Sequence, residues 1–232
     1  MIYVISDIHG HEGRFRSILD QIQLQPEDML CVLGDVVDRH PGGIRILREI
    51  MAMPNAKMIL GNHEYMMLRA LGEPVDDNAD DGRAMDHWYR NGGKVTLESW
   101  LEFSESQRRE MLDYLWSLPL NLDVTAGGKQ YKLVHGAPAE CYDPAETKYK
   151  NPTHFSIWKR LGPEDTLPGD YTLVFGHTPT VYFRDRNPME IWYHNRFICI
   201  DCGSGAEEEG PEAGKGRLAC LRLDDGKEFY SA

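Results

Sequence analysis

A chain of 232 residues with 41% hydrophobic content can bury a substantial core, as one large α/β domain or two small ones. Its formal net charge of −12 argues against broad affinity for nucleic acid polymers or anionic membrane, which both bind cationic surface. Five cysteines, odd in number and without a CxxC pair, fit reduced thiols rather than a disulfide framework, and Cys31, Cys199 and Cys220 lie within apolar runs. No apolar run approaches membrane-span length, and no basic segment or signal-like core precedes the first strand, so a cytoplasmic protein is expected.

Residues 2–5 read as a buried strand, and Phe15, Ile18, Leu19 and Ile22 then recur at helical spacing. A second apolar run, 29–33, precedes another helical stripe of Ile44, Leu47, Ile50 and Met51, with Pro41 near its start. Residues 57–60 repeat the strand signal. This rhythm implies right-handed crossovers and a largely parallel sheet whose polar loops emerge together at the carboxyl ends of the strands. From 72 to 119 the pattern changes. Residues 76–81 form an acidic stretch expected to be an exposed loop, and aromatic and charged residues follow at helical spacing. Ser104-Glu105-Ser106-Gln107 resembles a capping box ahead of a helix carrying Met111, Tyr114 and Leu115. The region reads as a helical insertion beside the loops, with Trp88, Tyr89 and Trp100 either roofing those loops or, the favoured reading, forming its core stripe. Beyond residue 120 the chain reads as mainly β. Residues 121–125 and 130–135 flank a Gly127-Gly128 turn, and further strands are expected at 171–175, 180–183, 197–200 and 218–223. Residues 224–227 read as a turn, and 207–216 as a mobile surface loop.

Five polar clusters, each after an apolar run, stand out: Asp7-Ile8-His9-Gly10, Gly34-Asp35-Val36-Val37-Asp38-Arg39, Gly61-Asn62-His63-Glu64, His135-Gly136 and Gly176-His177. They span residues 7–177, so a domain break inside that range would divide them; one domain over 1–232 is expected. The residue types suit two divalent cations about 3.5–4 Å apart, which need one shared ligand, and carboxylate is the natural bridge. Asp7 and His9 are assigned to the first cation, Asp35 to the bridge, and Asn62, His135 and His177 to the second. His63 is suited to donate a proton to a leaving oxygen, with Asp38 to orient its ring. Arg39 can fork onto two phosphoryl oxygens, and Trp158-Lys159-Arg160 offers a second such arginine, Arg160.

In this combination the clusters resemble the metallophosphoesterases, and within them the phosphoprotein phosphatases that include calcineurin-like and small bacterial and bacteriophage Ser/Thr phosphatases. The family motifs run GDxHG, GDxVDRG, GNHE, HG and a late GH. The resemblance implies an α/β fold of two mixed β-sheets in a sandwich flanked by helices. It also implies a pair of divalent metal ions, Mn²⁺ with Fe or Zn also compatible, on the six residues above. By the same resemblance His63 is the general acid supported by Asp38, Arg39 is the phosphate clamp, and the WxR element makes Arg160 the second clamp. The implied reaction is direct attack of metal-bound hydroxide on a phosphomonoester, with phosphoserine or phosphothreonine in proteins as the favoured substrate. A symmetrical dinucleoside tetraphosphate hydrolase shares most of these motifs, although its second motif commonly has Ala before Arg where this chain has Asp38. A catalytically silent metal-binding module is the non-enzymatic alternative, yet no ligand and no general acid has been lost. Three departures stand out: Ser6 replaces the first Gly, His40 replaces the Gly closing the second motif, and Gly176-His177-Thr178-Pro179 lacks the GHxH of nuclease-like branches.

Overall fold

Alternation along the first strand sets the architecture. β1 (Ile2–Ile5) turns Tyr3 and Ile5 to one face and Val4 to the other, and all three are buried. Tyr3 and Ile5 join Leu30 and Val32 of β2 (Met29–Val32) and Met58 of β3 (Ala56–Met58) under the helices. Val4 and Cys31 face the other way, into a layer shared with Leu133, Val174 and Leu221. A strand covered on both faces reads as an unbroken apolar run, which is how these strands were legible. The computed structural model describes residues 1–72, 83–206 and 216–231. The acidic stretch 76–81, and all but the last residue of the expected 207–216 loop, lie outside the described residues.

The first sheet has the order β10-β9-β1-β2-β3, where β9 is Ala219–Arg222 and β10 is Lys227–Tyr230. Its β1, β2 and β3 are parallel, and β9 and β10 form an antiparallel edge. The second sheet contains β4 (Asn121–Ala126), β5 (Lys129–Val134), β6 (Thr172–Phe175), β7 (Trp192–His194) and β8 (Phe197–Cys199), in the order β4-β5-β6-β8-β7. Here β5, β6 and β8 are parallel between antiparallel edges. The expected sandwich of two mixed sheets is therefore present, each with a parallel trio, at one side of the first sheet and at the centre of the second.

α1 (Glu12–Ile22) and α2 (Gly43–Ala52) bury the expected stripes against the first sheet. α3 (Asn62–Ala70), α4 (Ala84–Arg90), α5 (Gly93–Trp100) and α6 (Glu105–Trp116) extend the same apolar layer through Met67, Trp88, Trp100, Met111 and Leu115. The capping box forms: Gln107 N–H donates to Ser104 Oγ (3.4 Å) and Ser104 N–H to Gln107 Oε1 (3.0 Å). The 121–135 hairpin turns through Gly127 and Gly128, both with positive φ.

Residues 180–183 correct the sequence reading. They form a single 3₁₀ turn (Thr180–Tyr182), because Pro179 starts a turn and the Thr180 amide and hydroxyl are taken by the carbonyls of Asp201 and Pro188. α7 (Pro152–Trp158) stands in a stretch with no expected helix, although Asn151 caps it and Pro152 opens it, both ordinary start signals. Its Phe155 packs with Phe175 and Phe197 on the outer face of the second sheet.

A candidate dimetal site at the strand ends

Hydrogen bonding between β1 and β2 continues beyond the strands into the loops. Asp7 N–H donates to Gly34 O (3.2 Å), His9 N–H to Asp35 O (2.9 Å) and Gly10 N–H to Val36 O (2.7 Å). This ladder holds Asp7, His9 and Asp35 at φ of 53°, 49° and 53°, while Asp38, Arg39 and His177 sit at 72°, 70° and 65°. Left-handed backbone costs non-glycine residues on the order of 1–3 kcal/mol each, least for Asp and His, and persists where its surroundings over-determine it. His40 itself is not left-handed. The turn is made by the two residues before it, and the His40 amide bonds His9 O at 3.1 Å, so the missing glycine imposes no strain there. The second and third loops meet at glycines: a Cβ on Gly61 would fall 2.3 Å from Asp35 Oδ1, and one on Gly34 would fall 2.6 Å from the Gly61 backbone.

Asp35 is the centre of the arrangement. Its Oδ2 lies 3.7 Å from His9 Nε2, 3.5 Å from His135 Nε2 and 3.8 Å from His63 Nε2. Two groups of donor atoms result, His9–Asp35–His63 and Asp35–His135–His177, each within 4.8 Å of one another and both containing Asp35. Asn62 Oδ1 is 2.8 Å from His135 Nε2, and Asp7 Oδ1 is 3.9 Å from His9 Nε2. The outer ring nitrogens are engaged: His9 Nδ1 with Val37 O (3.2 Å) and His135 Nδ1 with Leu33 O (2.7 Å), which turns each Nε2 inward. His177 Nε2 faces Trp158 O (3.3 Å). Asp7 accepts from the His177 amide (3.0 Å) and from the Ser6 hydroxyl, so the serine in place of glycine helps to hold this carboxylate. The donor set, hard carboxylate and amide oxygens mixed with imidazole and one carboxylate shared, fits a pair of divalent cations.

Electrostatics supports that fit. Burial pushes the Asp7 carboxyl up to about 6 and raises Asp35, while it holds His9 and His177 well below the usual imidazole range. For His135, burial is outweighed by the Asp35 and Asp7 carboxylates, and the ring titrates above its ordinary value. A low-dielectric site drives its groups toward neutrality, and bound cations reverse that balance for the carboxylates.

Asp38 points away from this cluster into the helical insertion. Its carboxylate faces His63 Nδ1 at 2.7 Å and accepts from Trp88 Nε1 (2.9 Å) and the Thr96 hydroxyl (2.7 Å). The Asp38 amide donates back to Thr96 Oγ1 (2.9 Å) and the Arg39 amide to Gly92 O (3.1 Å). The left-handed Asp38–Arg39 pair is thus gripped by α4, α5 and the turn between them. Burial drives Asp38 up to about 7 and His63 down to about 4, against the Thr96 and Trp88 donors that favour the carboxylate. Arg39 reaches His63, with Nη2 3.5 Å from Nε2, and is steadied by Gly205 O at 3.1 Å. Arg160 is exposed, makes no ion pair with a described residue, and lies close enough to His177 for its charge to depress that ring.

Four contributors escaped the sequence reading. Glu64 is fully buried and its carboxylate accepts from the amides of Asp35 (2.8 Å), Val36 (2.8 Å), Val37 (3.3 Å) and Gly61 (3.2 Å), tying the second loop to the third. Trp88 reads as core and is core, yet its indole N–H is spent on Asp38. Thr96 carried no signal. Asp201 did: it follows the apolar β8 as the five clusters follow their strands, and burial and the Asp7 charge push its carboxyl up to about 8. Of the unassigned histidines, His11 accepts from the Arg14 amide at the start of α1. His154 bonds Tyr65 Oη, His87 stacks on Trp158, and His194 stacks on Trp192.

The chain belongs to the calcineurin-like phosphoesterase family, whose model matches residues 1–201. That family works with a dinuclear divalent metal site, and this chain's Asp and His groups are arranged for one. Among curated proteins it is 30% identical over 138 residues to serine/threonine-protein phosphatase 2 of Escherichia coli K12, covering 58% of this chain and 57% of that protein. It is 43% identical over 68 residues to the symmetrical bis(5'-nucleosyl)-tetraphosphatase of Erwinia tasmaniensis, covering 28% of this chain and 25% of that protein. The matched segments thus span little more than half of the first relative's length and a quarter of the second's. In fold it is similar to the crystal structure of a metallophosphoesterase from Sphaerobacter thermophilus, with a TM-score of 0.58 at 18% identity over 99% of this chain and 86% of that one. Among the described residues no helix is long and apolar enough to cross a membrane.

Proposed function

We propose that this phosphoesterase hydrolyses phosphomonoesters on serine and threonine residues of proteins. The observation that carries the reading is the His63–Asp38 pair set beside the Asp35-centred donors, with the Arg39 guanidinium 3.5 Å from His63 Nε2. In this reading Asp7, His9, Asp35, Asn62, His135 and His177 hold two divalent cations, with Asp35 shared. When bound, such a pair supplies Lewis acidity and acidifies a water to nucleophilic strength near neutral pH. Mn²⁺ is the ion expected to support turnover in vitro, and the mixed donors also suit Fe or Zn. Arg39 binds phosphoryl oxygens as a fork and Arg160 approaches from the His177 side. Asp38 keeps a proton-bearing Nδ1 of His63 directed at itself, leaving Nε2 toward the substrate to protonate the leaving oxygen. A dianionic phosphoryl group beside the ring favours the imidazolium that this step needs.

The retained Asp38-Arg39 pair and the Glu64 that ends the third motif support the protein substrate. A cytoplasmic location belongs to the same proposal and rests on five cysteines that are all free, four of them buried. The test is parallel hydrolysis of phosphoserine and phosphothreonine peptides and of diadenosine tetraphosphate, with Mn²⁺ and after chelation. Peptide turnover lost on chelation is expected. Preference for the dinucleotide, with ADP as sole product, would overturn the substrate; metal binding without any phosphoester hydrolysis would leave a silent module.

A further inference from the structure

Trp158 separates the dimetal site from a second cavity. One side of its indole meets His177 edge-on, with ring centroids 6.1 Å apart. His87 of α4 stacks on it, 5.9 Å away and tilted by 26°. Beyond these rings lies a cavity of about 420 Å³, walled by Tyr65, Arg69 and His87 from α3 and α4, by Lys148 and Lys150 from the segment leading into α7, and by His154 of α7 itself. No described carboxylate lines it. Arg69, Lys148 and Lys150 make no ion pair with a described residue, and Lys148 only overlies the Tyr149 ring at 5.7 Å. Burial, and then the charges of Arg69 and Arg90, hold His87 below its ordinary range, so near neutrality this ring leaves three full positive charges in place. A chain of net charge −12 thus places a pocket that is cationic among the described residues one ring away from a candidate metal ligand. The larger cavity on the other side of Tyr149 and Trp158, about 1080 Å³, shares Lys148 but differs in that Asp143, Glu146 and Asp165 line it, Asp165 pairing with Lys159 at 3.1 Å.

We propose that this pocket is a subsite for a second anionic side chain, a carboxylate or another phosphorylated residue, flanking the phosphoresidue of a peptide substrate. The inference rests on the protein phosphatase reading above and gives it a sequence preference. A peptide is favoured over a dinucleotide because the pocket's rings already have partners. His87 covers Trp158, Tyr65 meets His154 edge-to-face at 5.2 Å, and Tyr149 meets Phe155 at 5.6 Å. A nucleobase would have to stack on the ring faces that these contacts leave, whereas an anionic side chain needs cations and little else.

The experiment compares phosphothreonine peptides flanked on either side by Glu, Ala or Lys, using the Mn²⁺-loaded full chain and its Arg69→Glu/Lys150→Glu double variant. The wild type is expected to favour the Glu-flanked peptide by about tenfold in kcat/KM, and charge reversal to abolish that preference through KM. Turnover of p-nitrophenyl phosphate, which is too small to reach the pocket, is expected to be unchanged and reports an intact site. Equal turnover of the three peptides, or an acidic preference that survives charge reversal, would overturn the subsite while leaving the phosphatase reading standing. Loss confined to diadenosine tetraphosphate would reassign the pocket to nucleotides. A wild type that cleaves no phosphopeptide at all would instead remove the substrate reading on which the subsite rests.

Discussion

Asp35 and Asp38 leave one loop three residues apart and are held by different parts of the molecule. Asp35 stays at the sheet edge, its Oδ2 within 3.8 Å of imidazole nitrogens from His9, His63 and His135. Asp38 turns into the insertion and takes donors from Trp88 and Thr96. The sheet edge therefore gathers candidate ligands, while the insertion sets the aim of the candidate proton donor. The two regions should fail differently when altered.

The largest effects are expected at the sheet edge. Asp35→Asn should remove most turnover together with metal content, measured as bound Mn²⁺ per chain, because one carboxylate serves both donor groups. His63→Asn should lower kcat by about 10²–10⁴ through loss of the proton donor, while metal content stays near wild type. If both variants kept wild-type rates, the site would be elsewhere. Next comes Glu64→Ala, which strands the buried amides of Asp35, Val36 and Gly61. Removing one partner of a buried, charge-assisted set costs about 3–5 kcal/mol, so a drop of that size in urea unfolding is expected. A drop below about 1 kcal/mol, no more than one ordinary hydrogen bond contributes, would show that the loops are held without it.

The same contrast explains what could be read in advance. Asp7, His9, Asp35, Asn62, His135 and His177 are legible because each follows an apolar strand and short polar motifs report local structure directly. Trp88 and Thr96 are not. They sit on helices whose 3.6-residue pattern announces burial, and nothing in that pattern says that an indole N–H and a hydroxyl point at a carboxylate 50 and 58 residues away. Asp201 and α7 do carry local signals, an apolar strand before the one and Asn151-Pro152 at the start of the other. The short edge strands β7 and β10 take their identity from neighbours, so little within them marks them out.

The insertion is tested by smaller changes. Trp88→Phe keeps most of the buried volume and removes the indole donor; Thr96→Val removes the hydroxyl. Each should lower kcat by about tenfold with KM little changed. Donors to the ionised form favour it, so their loss raises Asp38 further above its ordinary range, and the acid limb of the kcat profile should move to higher pH. Trp100→Phe is the control. Trp100 is buried in the same apolar layer, and no hydrogen bond joins it to Asp38, so it should change stability without moving the profile. A shift of equal size in all three variants would reduce the insertion to general support.

The smallest effect concerns stability and separates the two regions by pH. In the protein stripped of metal, Asp38 and Asp201 titrate at about 7 and about 8, and His135 above the ordinary histidine value of 6.5. Unfolded, the two aspartates titrate near 4, so from about pH 7 to 8 the folded chain holds more protons than the unfolded one, and stability falls as pH rises. His9, His63 and His177, held low in the fold, act in the opposite sense, but their contribution is nearly complete once pH passes the unfolded histidine value. Bound cations keep the carboxylates ionised in the folded state, so the metal-loaded protein should lack this decline. The gap in Tm between Mn²⁺-loaded and chelated protein is therefore expected to widen by a few degrees between pH 7 and 8, read by parallel thermal scans. Trp88→Phe, by raising Asp38 further, should move the decline of the chelated form to higher pH, whereas a gap that stays constant with pH would mean that these carboxylates do not carry the coupling between metal and fold.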